Sequence, residues 1–320
     1  MSEEFFDKVG TARRAPRNLD ATRADSPQPC DPERKHDSGA SRWSAHEGKF
    51  WGSSLTIDRL PAGLYRCGQS SSIGYYLDSM LNDTDTLMRL PDSQVEEVLR
   101  EITEFSTLKP AFEKRGFLYK RGILLWGPPG SGKTCCLRLL IQMVIESMGG
   151  IAIFVDHPGT ASGCLQLARK IEPHRQIIAI LEDLDALVER YGENEYLALL
   201  DGESQVDNMI AVATTNYPER LDRRFVDRPS RFDTIRYVGM PTAAARKTYL
   251  ETKEPDLTGD TLAQYVEESD GFSIAHLREL VILTQCFGRS LDVSVKRLKS
   301  MQVAKPSSDR NPDAPALGFR

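Results

Sequence analysis

Apolar and polar positions follow two regimes along this chain. From Arg121 to Val238 short apolar runs recur: Gly122–Trp126, Ile151–Val155, Ile177–Leu181, Met209–Ala213 and Thr234–Val238. Runs this short, without alternation, read as strands buried on both faces. Helical spacing between them predicts helices near Gly132–Met148, Ala161–Ile171, Glu193–Leu200 and Pro218–Val226. The alternation predicts an α/β core, a five-stranded parallel sheet with helices on both faces and ligands at the carboxyl ends of its strands. After Pro241 the pattern is helical throughout, with candidates at Ala243–Leu250, Thr261–Glu268, Ile274–Phe287 and Val293–Met301, a small helical lid.

Upstream the pattern is weaker. Ser93-Gln94-Val95-Glu96 is a capping box, and Val95, Val98, Leu99, Ile102 and Phe105 then repeat at helical spacing. Leu55–Ile57 and Leu64–Cys67, separated by Pro61 and Gly63, predict a hairpin, and Trp43, Phe50 and Trp51 are expected to cover the core. Residues 1–48, rich in Pro, Arg, Asp and Ser, read as a disordered arm, as do residues 303–320 as a tail. The expected organisation is therefore an arm to 48, a small region over 49–91, the α/β core over 92–240, the lid over 241–302 and the tail.

Composition narrows the function classes. A net charge of -5 over 320 residues weighs against a broadly basic nucleic-acid surface. The six cysteines (Cys30, Cys67, Cys135, Cys136, Cys164, Cys286) form no C-x-x-C pair and read as reduced thiols, with Cys135 and Cys136 as packing residues. No apolar run approaches the roughly 18 residues that span a bilayer. The acidic Met1–Phe6 start lacks a secretory pattern, so a cytoplasmic protein without membrane attachment is expected.

Gly127-Pro128-Pro129-Gly130-Ser131-Gly132-Lys133-Thr134 matches the phosphate-binding P-loop, G-x-x-x-x-G-K-[ST], between a strand and a helix. Its glycines let backbone N–H groups turn toward phosphate oxygens, and the helix N-terminus adds a favourable dipole. Lys133 is expected on the β- and γ-phosphates and Thr134 on Mg²⁺, with Cys135 next along the helix. A bare glycine-rich turn is the bland alternative, and the full motif with its flanks outweighs it. The apolar strand Ile177–Leu181 ends in Glu182-Asp183-Leu184-Asp185. Carboxylates there can hold the metal shell and orient or deprotonate an attacking water.

Together these motifs make the chain resemble an AAA+ ATPase of the AAA type, over roughly Gly116 to Met301. The family usually ends this strand Asp-Glu. The order here is Glu182-Asp183, which is similar to the mitochondrial cytochrome-complex assembly ATPase branch. By position the resemblance implies Glu182 for the metal shell and Asp183 for the catalytic base, and the swapped lengths leave that division open. Ala213-Thr214-Thr215-Asn216 resembles the sensor 1 segment, with Asn216 positioning water. Arg228-Pro229-Ser230-Arg231-Phe232-Asp233 resembles the arginine-finger segment, with Ser230 in place of the usual Gly; Arg228 and Arg231 would serve a neighbouring subunit. Leu199–Gly202 also matches. Gly271–Leu277 resembles the start of the lid helix, where Ala275 is the small residue facing nucleotide, Arg278 lies nearby, and His276 reads as a helix-surface residue.

The resemblance implies ATP and Mg²⁺, a homo-oligomer, most simply a hexameric ring, and an unknown protein substrate to remodel. The segment Val155–Gly163 holds no aromatic residue, unlike the pore loops with which many AAA unfoldases grip a chain. Two other classes stand beside the remodelling ATPase: an ATP-gated ring or clamp aiding nucleic-acid processing with slow hydrolysis, and a nucleotide-dependent structural protein with a dead site.

Overall fold

The computed structural model describes residues 42–46, 48–53, 57–80, 87–91, 94–201, 206–228 and 230–303, all within one unit that begins at Ser41. One nine-stranded sheet organises them. Its strands are β1 (Arg42–His46), β2 (Lys49–Ser53), β3 (Gly63–Ser70), β4 (Gly74–Met80), β5 (Lys120–Trp126), β6 (Ile151–Phe154), β7 (Ile177–Leu181), β8 (Met209–Thr215) and β9 (Thr234–Tyr237). The spatial order is β1-β2-β4-β3-β6-β7-β8-β5-β9. All five strands expected from the apolar runs are present and parallel to their neighbours.

Helices cover both faces. They are α1 (Gln94–Thr107), α2 (Lys109–Glu113), α3 (Lys133–Met148), α4 (Pro158–Ile171), α5 (Leu184–Tyr191), α6 (Glu193–Asp201) and the short α7 (Arg223–Val226). The sheet sends alternate side chains into two cores, as the pleat requires. Ile177, Ala179 and Leu181 pack with Cys164, Leu165 and Tyr196 on one face. Ile178 and Ile180 pack with Val98, Ile102, Leu140 and Val144 on the other. This double burial is why β7 reads as a continuous apolar run.

The sheet is larger than the five strands expected. Residues 42–46, placed by sequence in the arm, form β1. The expected hairpin is replaced by another pairing. Ile57 makes only an isolated bridge with Trp43, while Leu64–Cys67 lies in β3, whose antiparallel partner is β4. On its other side β3 runs parallel to β6, from Gly63 opposite Ile151 to Arg66 opposite Phe154. Trp43 and Phe50 do cover the core. Residues 1–41 and 304–320, the side chain of Trp51, and Leu55, Thr56 and Ser93 lie outside the described residues.

A buried carboxylate holds this extension. Glu172, one residue past α4, accepts from Trp43 Nε1 at 3.1 Å and from the Leu60 N–H at 2.8 Å. Arg175 donates to the same carboxylate at 3.1 Å and to the Leu60 carbonyl at 3.1 Å. Burial raises the Glu172 pKa, against the pull of the Leu60 N–H, the Trp43 indole N–H, Arg59 and Arg169.

The lid comprises α8 (Ala243–Lys253), α9 (Gly259–Glu268), α10 (Ile274–Val281) and α11 (Leu291–Val303), around Leu250, Phe272, Leu277, Leu280 and Leu298. Side chains of Thr242 and Ser273 cap α8 and α10. The single helix expected over Ile274–Phe287 widens into a π turn at Ile282–Cys286, where the backbone stays helical and Thr284 Oγ1 bonds the Leu280 carbonyl.

Candidate nucleotide-binding site

The P-loop joins β5 to α3 and depends on backbone room. Gly127, Gly130 and Gly132 all have positive φ, at 156°, 77° and 107°. A Cβ on Gly127 would sit 2.1 Å from the Val238 carbonyl oxygen, and one on Gly130 would sit 2.7 Å from Ser273 Oγ. The loop is thereby wedged between β9 and the start of lid helix α10. Lys133 is 6% exposed and folds back over its own loop, donating to the carbonyls of Gly127 at 2.8 Å and Pro128 at 2.9 Å. Burial lowers its pKa, and the charges of Asp183 and Asp185 oppose that shift. Ser131 Oγ is buried without a protein partner.

The acidic strand end lies across from the loop. Asp183 takes a left-handed conformation (φ 50°, ψ 55°), one of two non-glycine residues with positive φ among those described. Such strain concentrates at functional sites. Its N–H donates to Thr214 Oγ1 at 3.1 Å, and Asn216 Nδ2 donates to its Oδ1 at 3.3 Å. Asp185 is buried and accepts from Thr215 Oγ1 at 2.6 Å.

A cavity of about 680 Å³ collects much of this set: Gly130, Lys133, Thr134 and Cys135 of the loop and α3, Asp183, Asn216, and Ala275 of α10. The inward room, the orphaned Ser131 hydroxyl and the buried Lys133 suit a polyphosphate. Thr134 and Asp183 offer oxygen ligands, the donor chemistry Mg²⁺ takes alongside phosphates. Glu182 is half-buried and does not line this cavity. An adjoining cavity of about 260 Å³ is largely apolar, lined by Met88, Leu90, Val95, Tyr237, Val238 and Ile274, and Trp126 packs on Tyr237 at 4.7 Å.

Sequence reasoning missed Leu87, Met88 and Leu90, which carry no motif, and Thr214, Tyr249 and Lys253. Arg138 also lines the cavity and had a usable signal, since it follows Thr134 by one helical turn on α3. His276 is half-buried rather than on the surface, with Nδ1 2.6 Å from Ser273 Oγ, and burial lowers its pKa.

The two arginines lie elsewhere. Arg231 is 8% exposed, ion-paired with Asp201 at 3.4 Å and bonded to the Arg224 carbonyl. Arg228 shares Asp201 at 3.3 Å, with its side chain 63% exposed. Neither lines the cavity of its own chain. After β6 the loop is short: Asp156 pairs with Arg66 at 3.1 Å, and His157 caps α4 and packs on the Tyr191 ring at 5.0 Å.

Comparison with known proteins agrees with this geometry. Residues 123–240 match the family described as "ATPase family associated with various cellular activities (AAA)". The chain is 30% identical over 253 residues to "ATP-dependent zinc metalloprotease FtsH 1" of Symbiobacterium thermophilum, covering 72% of this chain and 40% of that protein. It is 30% identical over 210 residues to "Protein SAV" of Sulfolobus acidocaldarius, covering 58% of this chain and 26% of that one. It is 30% identical over 189 residues to "ATPase family protein 2 homolog" of Caenorhabditis elegans, covering 52% and 26%. The chain thus spans two fifths or less of these relatives. Residues 123–240 are thus similar to the ATPase domain that this family model describes.

Proposed function

We propose that this chain, built on an AAA ATPase domain, is a Mg²⁺-dependent ATPase that acts as a homo-oligomeric ring and remodels a protein partner. One observation carries the reading: a single cavity brings Lys133 and Thr134 together with Asp183 and Asn216. The bound metal would supply charge neutralisation at the phosphates, held by Thr134 with Asp183 or Glu182 in its shell. Lys133 leaves its loop carbonyls for the phosphate oxygens. The adjoining apolar cavity takes the base, excluding water from one face of it. Asn216 Nδ2 holds Asp183 Oδ1, which leaves Oδ2 to orient the attacking water and accept its proton. Asp183 fits the base role better than Glu182 because it faces the cavity.

The arginines complete the site in trans. Arg228 is the better finger, because its side chain is largely exposed while Arg231 is buried against Asp201. An arginine brought to the transition state by a partner accelerates GTP hydrolysis by roughly 10³–10⁵ in GTPase examples. A hexamer is the simplest ring, by likeness to the family. The inverted Glu182-Asp183 pair and the short loop after β6 without an aromatic are in the style of the mitochondrial cytochrome-complex assembly branch, and support handling of a partner by means other than aromatic paddles. No helix among the described residues is long and apolar enough to cross a membrane. We place the work in the cytoplasm.

The test is ATP hydrolysis by wild type and Asp183→Asn over a range of protein concentrations, with native mass in parallel. Specific activity rising with assembly and lost in the variant supports a ring-dependent ATPase. ATP-dependent assembly without hydrolysis points instead to a gated clamp, and a salt-dependent shift with DNA would extend it to nucleic acid.

A further inference from the structure

The backbone ladder between β7 and β8 runs from Ile177 opposite Met209 to Leu181 opposite Ala213, and stops there. The next residues on each strand are those the site uses. Two threonine hydroxyls take over from the ladder. Thr214 Oγ1 receives the Asp183 N–H at 3.1 Å, and Thr215 Oγ1 donates to Asp185 Oδ1 at 2.6 Å. Thr215 Oγ1 also accepts the Tyr217 N–H at 3.0 Å. Thr215 therefore clamps the backbone on both sides of Asn216, the residue whose amide meets Asp183 at 3.3 Å. Both threonines are buried, at 2% and 0% exposure, and Asp185 is 9% exposed.

We propose that Thr215 and Asp185 are a positioning pair: their bond holds Asn216 and Asp183 at the separation that hydrolysis needs. The proposal rests on the ATPase reading above. Neither residue lines the cavity. Asp185 lies on the first turn of α5, just after the left-handed Asp183. Fixing Asp185 to β8 fixes the helix end that sets Asp183. The same hydroxyl fixes the turn that sets Asn216. A bond this buried and this short leaves little slack, and small misplacements of a catalytic group carry large rate penalties.

The test compares wild type with Thr215→Val, Thr215→Ser, Asp185→Ala and the Thr215→Val/Asp185→Ala double variant. Steady-state ATP hydrolysis, ATP affinity from a fluorescent ATP analogue, and urea unfolding are read on each. Valine keeps the branched shape and deletes the hydroxyl, while serine keeps the hydroxyl. Thr215→Val is expected to lower kcat by about tenfold or more, with ATP Kd within about twofold, and serine to restore most of kcat. The double variant should be no worse in kcat than the weaker single variant, the mark of a coupled pair. The unfolding cycle should show the same coupling without nucleotide. Wild-type kcat in Thr215→Val, equal losses in kcat and affinity, serine no better than valine, or additive losses in the cycle would each overturn the pair. An inactive wild type that binds ATP would instead overturn the ATPase reading, and the pair's role with it.

Discussion

Lys133 spends the nucleotide-free state bonded to the carbonyls of Gly127 and Pro128, buried and with a lowered pKa. Its charged form is disfavoured in the fold, so the unfolded chain binds more protons in the window just below the ordinary lysine pKa of about 10.4. Stability of the nucleotide-free protein should therefore rise with pH through that window. Lys133→Met is expected to flatten this rise and to abolish the upward shift in Tm that ATP gives the wild type. Thermal melts with and without ATP, from neutral to alkaline pH, check both. A large ATP shift surviving in Lys133→Met would remove Lys133 from the phosphate site. Gly130→Ala tests the loop at the same scale. It forces a side chain onto φ 77° and toward Ser273 Oγ, so a loss of about 1–3 kcal/mol in urea unfolding is expected, with weakened ATP binding.

At the scale of elements, buried parallel strands are easy to read and edge strands are not. Ile177–Leu181 and Met209–Thr215 are buried at every position, so the first reads as an uninterrupted apolar run and the second as one up to Ala213. Gly74–Met80 mixes tyrosines with Asp78 and Ser79, and all but Leu77 are exposed or half-buried, so no run marks it as β4. The P-loop, the acidic strand end and Asn216 were legible because each is a local motif at a strand terminus. The wall formed by Met88 and Leu90 was not, because its partners come from the lid and β9. The anchor of the extension was hidden for the same reason: Glu172 meets Trp43 across 129 positions. Glu172→Ala would strand Arg175, the Trp43 N–H and the Leu60 N–H in a buried site. An expected cost of about 3–5 kcal/mol follows from breaking a buried ion pair on one side. Urea unfolding gives the magnitude, and amide exchange over β1–β4 should lose protection first. A loss spread evenly over the molecule would argue against a local anchor.

For the whole molecule the decisive question is whether two chains share one site. Arg228→Ala removes the exposed arginine and leaves Asp183 intact, while Asp183→Asn does the reverse. Each variant alone is expected to hydrolyse ATP poorly. Mixed, they should recover activity, because some sites then join an intact Asp183 to a neighbour's intact Arg228. Activity in the mixture no higher than the average of the two would place the arginine outside the neighbour's site.

The parallel pairing of β3 with β6 also has a consequence for synthesis. β3 ends at Ser70 and its neighbour does not begin until Ile151. At ribosomal rates the intervening stretch takes on the order of ten seconds to emerge. Throughout that interval β3 can pair with β4, and through it with β2 and β1, but its other edge has no partner from its own chain. The β3 edge of the nascent β1–β4 segment therefore stays open until β6 emerges, and an open edge of this kind is a template for wrong pairing that a chaperone would cover.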